Sequence, residues 1–385
     1  MKVAFHVDQL WFGAPGGIGT YVRAMLDALP AADPSLELVR FRSRWRGRSP
    51  DGGSPLTIDG RYPGVEVPHS IRTLYPSWDA LGRPALPASL DDADIVHATN
   101  PAAVPPVHGD QRLVVTVHDL AFERFPELFP RGWRWLYRAG LRAAVKRADA
   151  ILVPSQRTAD DLVASTSIPA SRVHVTPLGS SLVDRAEDDP KEVFDRLEVF
   201  DRLGVTRPYV LSVGTLEPRK NLVRLVRAYR QVAPDVRHTL VLAGARGWHA
   251  EALDAELARP GPGTIVWADH VSDVELDMLY RGADAFAYPS LYEGFGLPVV
   301  EAMARGVPTL ASNVSSIPEV TGDAAILVDP TDVSEIAEGL ARLLTDRAFA
   351  EDLRKRGLQR AATFTWAATA RATLDVYRRL TEASS

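Results

Sequence analysis

EGFGLPVVE, residues 293–301, sets two glutamates eight positions apart and fills the interval with Gly294, Phe295, Gly296, Leu297, Pro298 and two valines. The stretch AFAYPS (285–290) before it reads as a strand. PVVEAMARG (298–306) after it has helical spacing, with a proline suited to a first turn. Glu301 then falls in that first turn, where the helix dipole favours a carboxylate on structural grounds alone. Glu293 precedes the glycines and has no such reason to be acidic. Gly294 and Gly296 let the backbone curl so that the amides of Gly296, Leu297 and Val299 converge on one anion. Carboxylates repel phosphates but accept hydrogen bonds from hydroxyls. The ligand expected here therefore has a diphosphate in the middle and sugars on either side, as in a nucleotide sugar.

Working outward, short β-branched runs alternate with longer helical patterns, the mark of parallel α/β sheets. Strands are expected at 2–7, 36–41, 94–98, 113–119 and 150–155, with a long helix over 131–148. An acidic stretch without strand character follows and reads as a linker over 184–204. A second alternation places strands at 209–215, 238–244, 264–269, 285–290, 309–312 and 325–329, and a final helix from 365. The expected domains are 1–183, 205–364 and the closing helix 365–385. Two doubly wound halves imply a cleft between the carboxyl ends of their sheets.

Composition narrows the function. A length of 385 residues favours two domains over one core. A net charge of -5 argues against nucleic-acid partners, and the absence of cysteine removes thiolate chemistry. MKVAFHVDQL lacks a long apolar segment, so no signal peptide is expected, nor is any run apolar enough to span a bilayer.

Other segments carry candidate chemistry. The loop FGAPGGIGTY (12–21) follows the first strand, and its glycines let backbone amides approach a phosphate. A plain turn and an NADP-binding Rossmann loop are the alternatives; the loop is long for the latter. In VGTLEPRKN (213–221), Arg219 and Lys220 stand just before a helix whose dipole disfavours cations. An anionic ligand would resolve that mismatch, and solvated surface charges are the other reading. His118 ends the strand LVVTVHD, where it can meet a substrate hydroxyl or serve as a satisfied strand-end polar residue. The D-x-D at 92–94 reads as a polar cluster starting a strand rather than a metal motif.

Together, EGFGLPVVE, its surroundings from 280 to 312, VGTLEPRKNL, DHVSDVELDMLYRGAD (269–284), the glycine loop and VHD resemble the retaining GT-B glycosyltransferases of family 4. That family includes bacterial O-antigen and exopolysaccharide mannosyltransferases. The resemblance implies two Rossmann-like domains facing a cleft, with the C-terminal helix packing back on the first. It implies that Glu301 binds the ribose hydroxyls and Glu293 the transferred sugar, while amides around Phe295, Gly296, Leu297 and Val299 hold the diphosphate. Arg219 and Lys220 would neutralise the leaving phosphate, Gly16 and Gly17 would lie near the phosphates, and His118 near the sugar. Val271 and Asp273 correspond to a turn that contacts the nucleobase. Many relatives carry arginine where this chain has Thr215. The implied reaction is retaining, front-face hexose transfer without a metal or other cofactor. A nucleotide-sugar donor, with GDP-mannose favoured and UDP-hexoses open, would pass its sugar to a glycan or polyprenyl- or other lipid-linked acceptor in the cytoplasm. A non-catalytic nucleotide-sugar binder and an NADP-dependent oxidoreductase are the rival functions.

Helix 131–148 adds an acceptor-side expectation. One face carries Trp133, Leu136, Tyr137, Gly140, Leu141 and Ala144. The other gathers Arg131, Arg134, Trp135, Arg138, Arg142 and Lys146. A basic face with a tryptophan suits an anionic membrane surface, and a solvated face on a buried helix is the alternative.

Overall fold

A computed structural model describes residues 1–12, 16–44, 64–180 and 198–382. The chain divides into two compact units, Met1–Gly179 with Trp366–Ser385, and Ser180–Thr365.

The first unit runs β1 (Lys2–His6), α1 (Gly16–Ala32), β2 (Glu37–Ser43), β3 (Gly64–Val67), α2 (Ile71–Leu81), β4 (Ile95–Ala98) and β5 (Arg112–Thr116). It continues with α3 (Ala121–Arg124), α4 (Arg131–Arg147), β6 (Ala150–Val153), α5 (Gln156–Ser165) and β7 (Val173–Val175). Its seven strands lie in the order β3-β2-β1-β4-β5-β6-β7, and every pairing is parallel. The central strand β4 and the inner strand β6 are buried along their whole length, as sheets covered on both faces require.

The second unit begins with a helix over 198–203, which we call α6. It then runs β8 (Tyr209–Val213), α7 (Leu222–Val232), β9 (Thr239–Ala243), α8 (Glu251–Leu257), β10 (Ile265–Asp269), α9 (Asp273–Gly282) and β11 (Ala285–Tyr288). It closes with α10 (Leu297–Ala304), β12 (Thr309–Ser312), α11 (Ile317–Thr321), β13 (Ile326–Val328), α12 (Val333–Thr345) and α13 (Arg347–Ala361). Its sheet order is β10-β9-β8-β11-β12-β13, again parallel throughout. Strand order reverses between β1 and β4 in one unit and between β8 and β11 in the other. Open α/β sheets offer ligands a crevice at such switch points.

The last helix, α14 (Trp366–Glu382), returns to the first unit as expected. The Tyr377 hydroxyl lies 2.5 Å from His97 Nδ1 beneath the sheet, Arg378 pairs with Asp33 at 2.9 Å, and Thr369 donates to the Pro177 carbonyl.

Of the stretch 184–204 expected as a linker, residues 184–197 lie outside the described residues. The remainder is not a bare connector. Phe200, 4% exposed, packs edge-on against Tyr209 at 5.8 Å, so α6 is part of the second unit's core. The D-x-D is a strand-starting cluster: Asp94 accepts the Lys2 amide at 2.7 Å, and Asp92 accepts the Lys2 ammonium at 2.7 Å.

Helix α4 packs on α2 and buries Gly140, Leu141, Ala143 and Ala144. Gly140 lets α4 approach the backbone of Pro101 and Ala102 after β4, since a Cβ there would sit 1.8 Å from the Pro101 carbonyl oxygen. Gly140→Ala should therefore cost about 1–3 kcal/mol of stability by overpacking. A urea denaturation midpoint equal to the parent's would refute this. The outward face is less basic than its composition suggests. Arg138 is bound by both oxygens of Glu123 at 2.9 Å, and Arg134 donates to the Pro126 carbonyl. Arg131, Arg142 and Lys146 remain exposed, beside Trp133 at 41% and Trp135 at 57% exposure. Among the described residues, no helix is long and apolar enough to cross a membrane.

Candidate active site

The loops leaving β8 and β11, the two strands that flank the second unit's switch point, are fastened together. Asn221, at φ 60, donates its side-chain amide to the Pro289 carbonyl at 2.9 Å and to that of Pro330 at 2.6 Å. The Leu291 amide donates to the Arg219 carbonyl at 2.9 Å. Arg219 and Lys220 sit in a 3-10 turn (Pro218–Lys220) ahead of α7, so they do not occupy the helix itself.

Their charges are met within the protein. Lys220 Nζ donates to Glu293 Oε1 at 2.7 Å and to the Tyr288 hydroxyl at 2.5 Å, and that hydroxyl donates to the same Oε1 at 2.9 Å. Arg219 reaches Glu293 Oε2 at 2.9 Å and Glu217 Oε1 at 2.6 Å. Two cations thus face two carboxylates, Glu293 at 8% and Glu217 at 5% exposure. The sequence reading offered an anionic ligand or solvent for these cations; the structure pairs them with buried carboxylates instead. Burial alone would raise the Glu293 carboxyl, but Arg219 and Lys220 overcome it and hold the group down to about 2. For Lys220, burial and then Arg219 lower the ammonium against the pull of Glu293 and Glu217. The Glu293 backbone is fixed too: its amide donates to Ser315 Oγ and its carbonyl accepts from Ser316 Oγ, each at 2.9 Å.

Beyond Glu293 the chain bends through Gly296 into α10. Gly296 has φ 98, and a Cβ would lie 2.5 Å from Ile317 Cδ1, so conformation and space both require glycine. The bend supplies fewer amides than the sequence suggests. Val299 N–H is committed to the Gly296 carbonyl at 2.9 Å, closing the first turn. Pro298 has no N–H. The Gly296 and Leu297 amides make no hydrogen bond among the described residues. Phe295 is buried edge-on against Phe364 at 5.5 Å, so its ring is core.

Because α10 starts at Leu297, Glu301 is its fifth residue and lies past the first turn. The dipole therefore does not explain that carboxylate. Tyr280 donates to its Oε2 at 3.0 Å, and burial raises its carboxyl, with Arg305 pulling the other way. Glu301 bonds to Tyr280, whereas Glu293 bonds to Lys220, Tyr288 and Arg219, so the two acids occupy separate environments. Val271 and Asp273 stand at the start of α9, where Ser272 and Glu275 form a reciprocal cap. The Asp273 charge acts on Glu301, which associates this turn with the Glu301 side of the bend. Thr215 packs by its methyl near Gly247, and nearby Arg246 pairs with Asp254 at 2.5 Å.

The first unit carries the remaining candidates. His118 Nε2 is 2.9 Å from the Thr99 carbonyl, which can only accept, so Nε2 holds the proton. Burial lowers the ring below the usual histidine range, which leaves Nδ1 as an acceptor. Tyr21 stands edge-on to it at 4.9 Å. Gly16, at φ 59, and Gly17 open α1 and are exposed, while residues 13–15 lie outside the described residues. Glu217, Tyr288, Tyr280 and Thr99 were not singled out from sequence. Tyr288 was the nearest to being legible, since it ends a strand beside the glutamate loop.

Two doubly wound parallel sheets, with a charged cluster and a glycine bend at a switch point of the second, are the architecture of the GT-B class. Residues 195–360 match the family described as glycosyl transferases group 1, and residues 15–182 match Glycosyltransferase Family 4. The chain is 35% identical to the O-antigen chain mannosyltransferase B of Escherichia coli, over 71% of this chain and 72% of that one. It is 32% identical to the serotype-specific mannosyltransferase WbdA of Escherichia coli over 63% of this chain, but the match spans only 30% of WbdA. Sucrose-phosphate synthase from Thermosynechococcus elongatus has the same fold, with a TM-score of 0.73 over 100% of both chains at 21% identity. WaaG, a glycosyltransferase involved in lipopolysaccharide biosynthesis, superposes with a TM-score of 0.71 at 18% identity, over 97% of this chain and 99% of that one. The chain belongs to the GT-B glycosyltransferases of group 1 and family 4, and it is a glycosyltransferase.

Proposed function

We propose that the protein transfers a hexose, most readily mannose from GDP-mannose, to a hydroxyl of a glycan or lipid-linked acceptor, with retention of configuration and without a bound metal. The observation that carries this reading is the Glu293 cluster. A carboxylate held to about 2 by Arg219 and Lys220 is a poor base at neutral pH but a strong acceptor for sugar hydroxyls. That property supports a front-face course, in which the departing phosphate oxygen takes the proton of the incoming hydroxyl. Lys220 and Arg219 stabilise the charge that develops on the leaving diphosphate, with the Gly296 and Leu297 amides beneath it. Glu301 accepts from the ribose hydroxyls, and His118 accepts a sugar hydroxyl at Nδ1. The names of the Escherichia coli relatives support mannose as the sugar.

A nucleoside diphosphate that binds only the folded state raises the melting temperature by mass action. GDP at 100 times its Kd should add about 2.7 kcal/mol, and UDP at the same concentration less. Greater stabilisation by UDP would overturn the donor assignment. Absence of both transfer and donor hydrolysis with all nucleotide sugars would overturn the enzyme reading at this site.

The exposed Trp133 and Trp135 beside Arg131, Arg142 and Lys146 support peripheral contact of α4 with an anionic membrane. Co-sedimentation with vesicles containing phosphatidylglycerol should fall several-fold for Trp135→Glu. Equal sedimentation of the variant, or equal binding to neutral vesicles, would remove the membrane role.

A further inference from the structure

The loops leading into β8, β11 and β12 lie at the opposite edge of the second unit's sheet from Glu293, and they line a cavity of about 510 Å3. Pro208, Asp284 and Pro308 immediately precede those strands on its wall. A volume of that size is in the range of small-molecule sites. Nothing in the transfer reaction proposed above uses it.

Its electrostatics are lopsided. Asp277, 5% exposed, gives one oxygen to Arg281 Nε and the other to Arg305 Nε, each at 2.7 Å, so one carboxylate serves two guanidiniums. Across the cavity, α13 presents Arg347, Ala350, Glu351 and Arg354 at helical spacing along a single face. Among the described residues Arg354 is paired by a 3.4 Å contact with Glu351 alone, and Arg347 stands in the first turn, where the helix dipole opposes a cation. Asp284 gives one oxygen to the Tyr209 amide at 2.9 Å and has Arg207 at 3.7 Å on the other. Four lining guanidiniums (Arg281, Arg305, Arg347, Arg354) thus meet two lining carboxylates (Asp284, Glu351), an excess of two positive charges that Asp277 behind Arg281 and Arg305, and Arg207 beside Asp284, leave unchanged. Val307, Leu343 and Leu344 supply an apolar wall beside this excess.

We propose that this cavity is a second ligand site that takes a small soluble phosphomonoester. The phosphate lies between Arg347 and Arg354, and the uncharged body lies against Val307, Leu343 and Leu344. Arginine suits this task because its planar fork pairs with two phosphate oxygens at once. The inference goes beyond the transfer reaction and does not depend on the identity of the donor.

Calorimetric titration of the full chain with phenyl phosphate and with inorganic phosphate, at matched ionic strength, tests it. Phenyl phosphate should bind at least tenfold more tightly than inorganic phosphate. Its affinity should be unchanged in Lys220→Met and at least tenfold weaker in Arg347→Ser/Arg354→Ser. Both arginines are exposed on α13, so the double variant should keep the parent's circular dichroism. Binding lost in Lys220→Met but retained in the double arginine variant would place the phosphate at the transfer site and overturn the proposal. No binding of either probe would overturn it, as would binding only to vesicles of phosphatidic acid.

Discussion

Lys220→Met should lower the turnover of sugar transfer at saturating donor by about 100- to 1,000-fold, the range seen when one preorganised donor to a developing anion is removed. Methionine keeps most of the aliphatic stem, which approaches Gly214 in the loop after β8. What disappears is the ammonium that donates to Glu293 and to Tyr288. If the charge acts on the leaving diphosphate, kcat falls while KM for the donor changes much less, because the stabilised charge is largest in the transition state. Steady-state rates with the donor identified by thermal shift check this. A fall below tenfold, or an effect confined to KM, would remove Lys220 from the reaction.

Glu293→Ala should lower folding stability by about 3–5 kcal/mol, the usual consequence of stripping one partner from a buried ion pair. Arg219 would keep Glu217, but Lys220 would be left with a tyrosine hydroxyl as its partner. The same group fixes an acid dependence. Its folded value is about 2 against an ordinary 4.5, so it is depressed and its stabilisation is present in full above about 4.5. That stabilisation drains away as pH falls from 4.5 towards about 2, a depression worth about 3 kcal/mol. Urea denaturation at pH 7 and pH 3 should show the parent losing more stability than Glu293→Ala over that interval. Equal losses would mean that Glu293 is not the carboxylate held down by Arg219 and Lys220.

Much of the architecture was legible because parallel strands buried on both faces leave long apolar runs between turn residues. YVLSV at 209–213 and AFAY at 285–288 are such runs, and both form at the expected places. Several short elements were not foreseen, α3, α5, α6 and α11 among them, and three show why. The edge strand Val173–Val175 is only half-buried, so its three residues carry little periodic signal. The strand Gly64–Val67 is only four residues long and lies at the other edge of its sheet. Helix Ile71–Leu81 contains Pro76, which a sequence reading takes as a break.

The residues of the candidate site show the same division. Sequence alone determined that Glu293, Arg219 and Lys220 would lie in loops after strands, at a carboxyl edge, and that Gly296 would precede a helix. It did so because strand ends, glycines and helix starts are set by neighbours along the chain. Which charges meet was decided by the tertiary structure, since the order β8-β11 brings residues 73 positions apart within hydrogen-bonding distance. That pairing turned two apparently uncompensated cations into a neutral cluster and made Glu293 strongly acidic. The Val299 amide and the place of Glu301, by contrast, are set locally by where α10 starts, one residue before the expected Pro298. Ionisation and charge pairing depend on distances across the fold, and local sequence does not encode them.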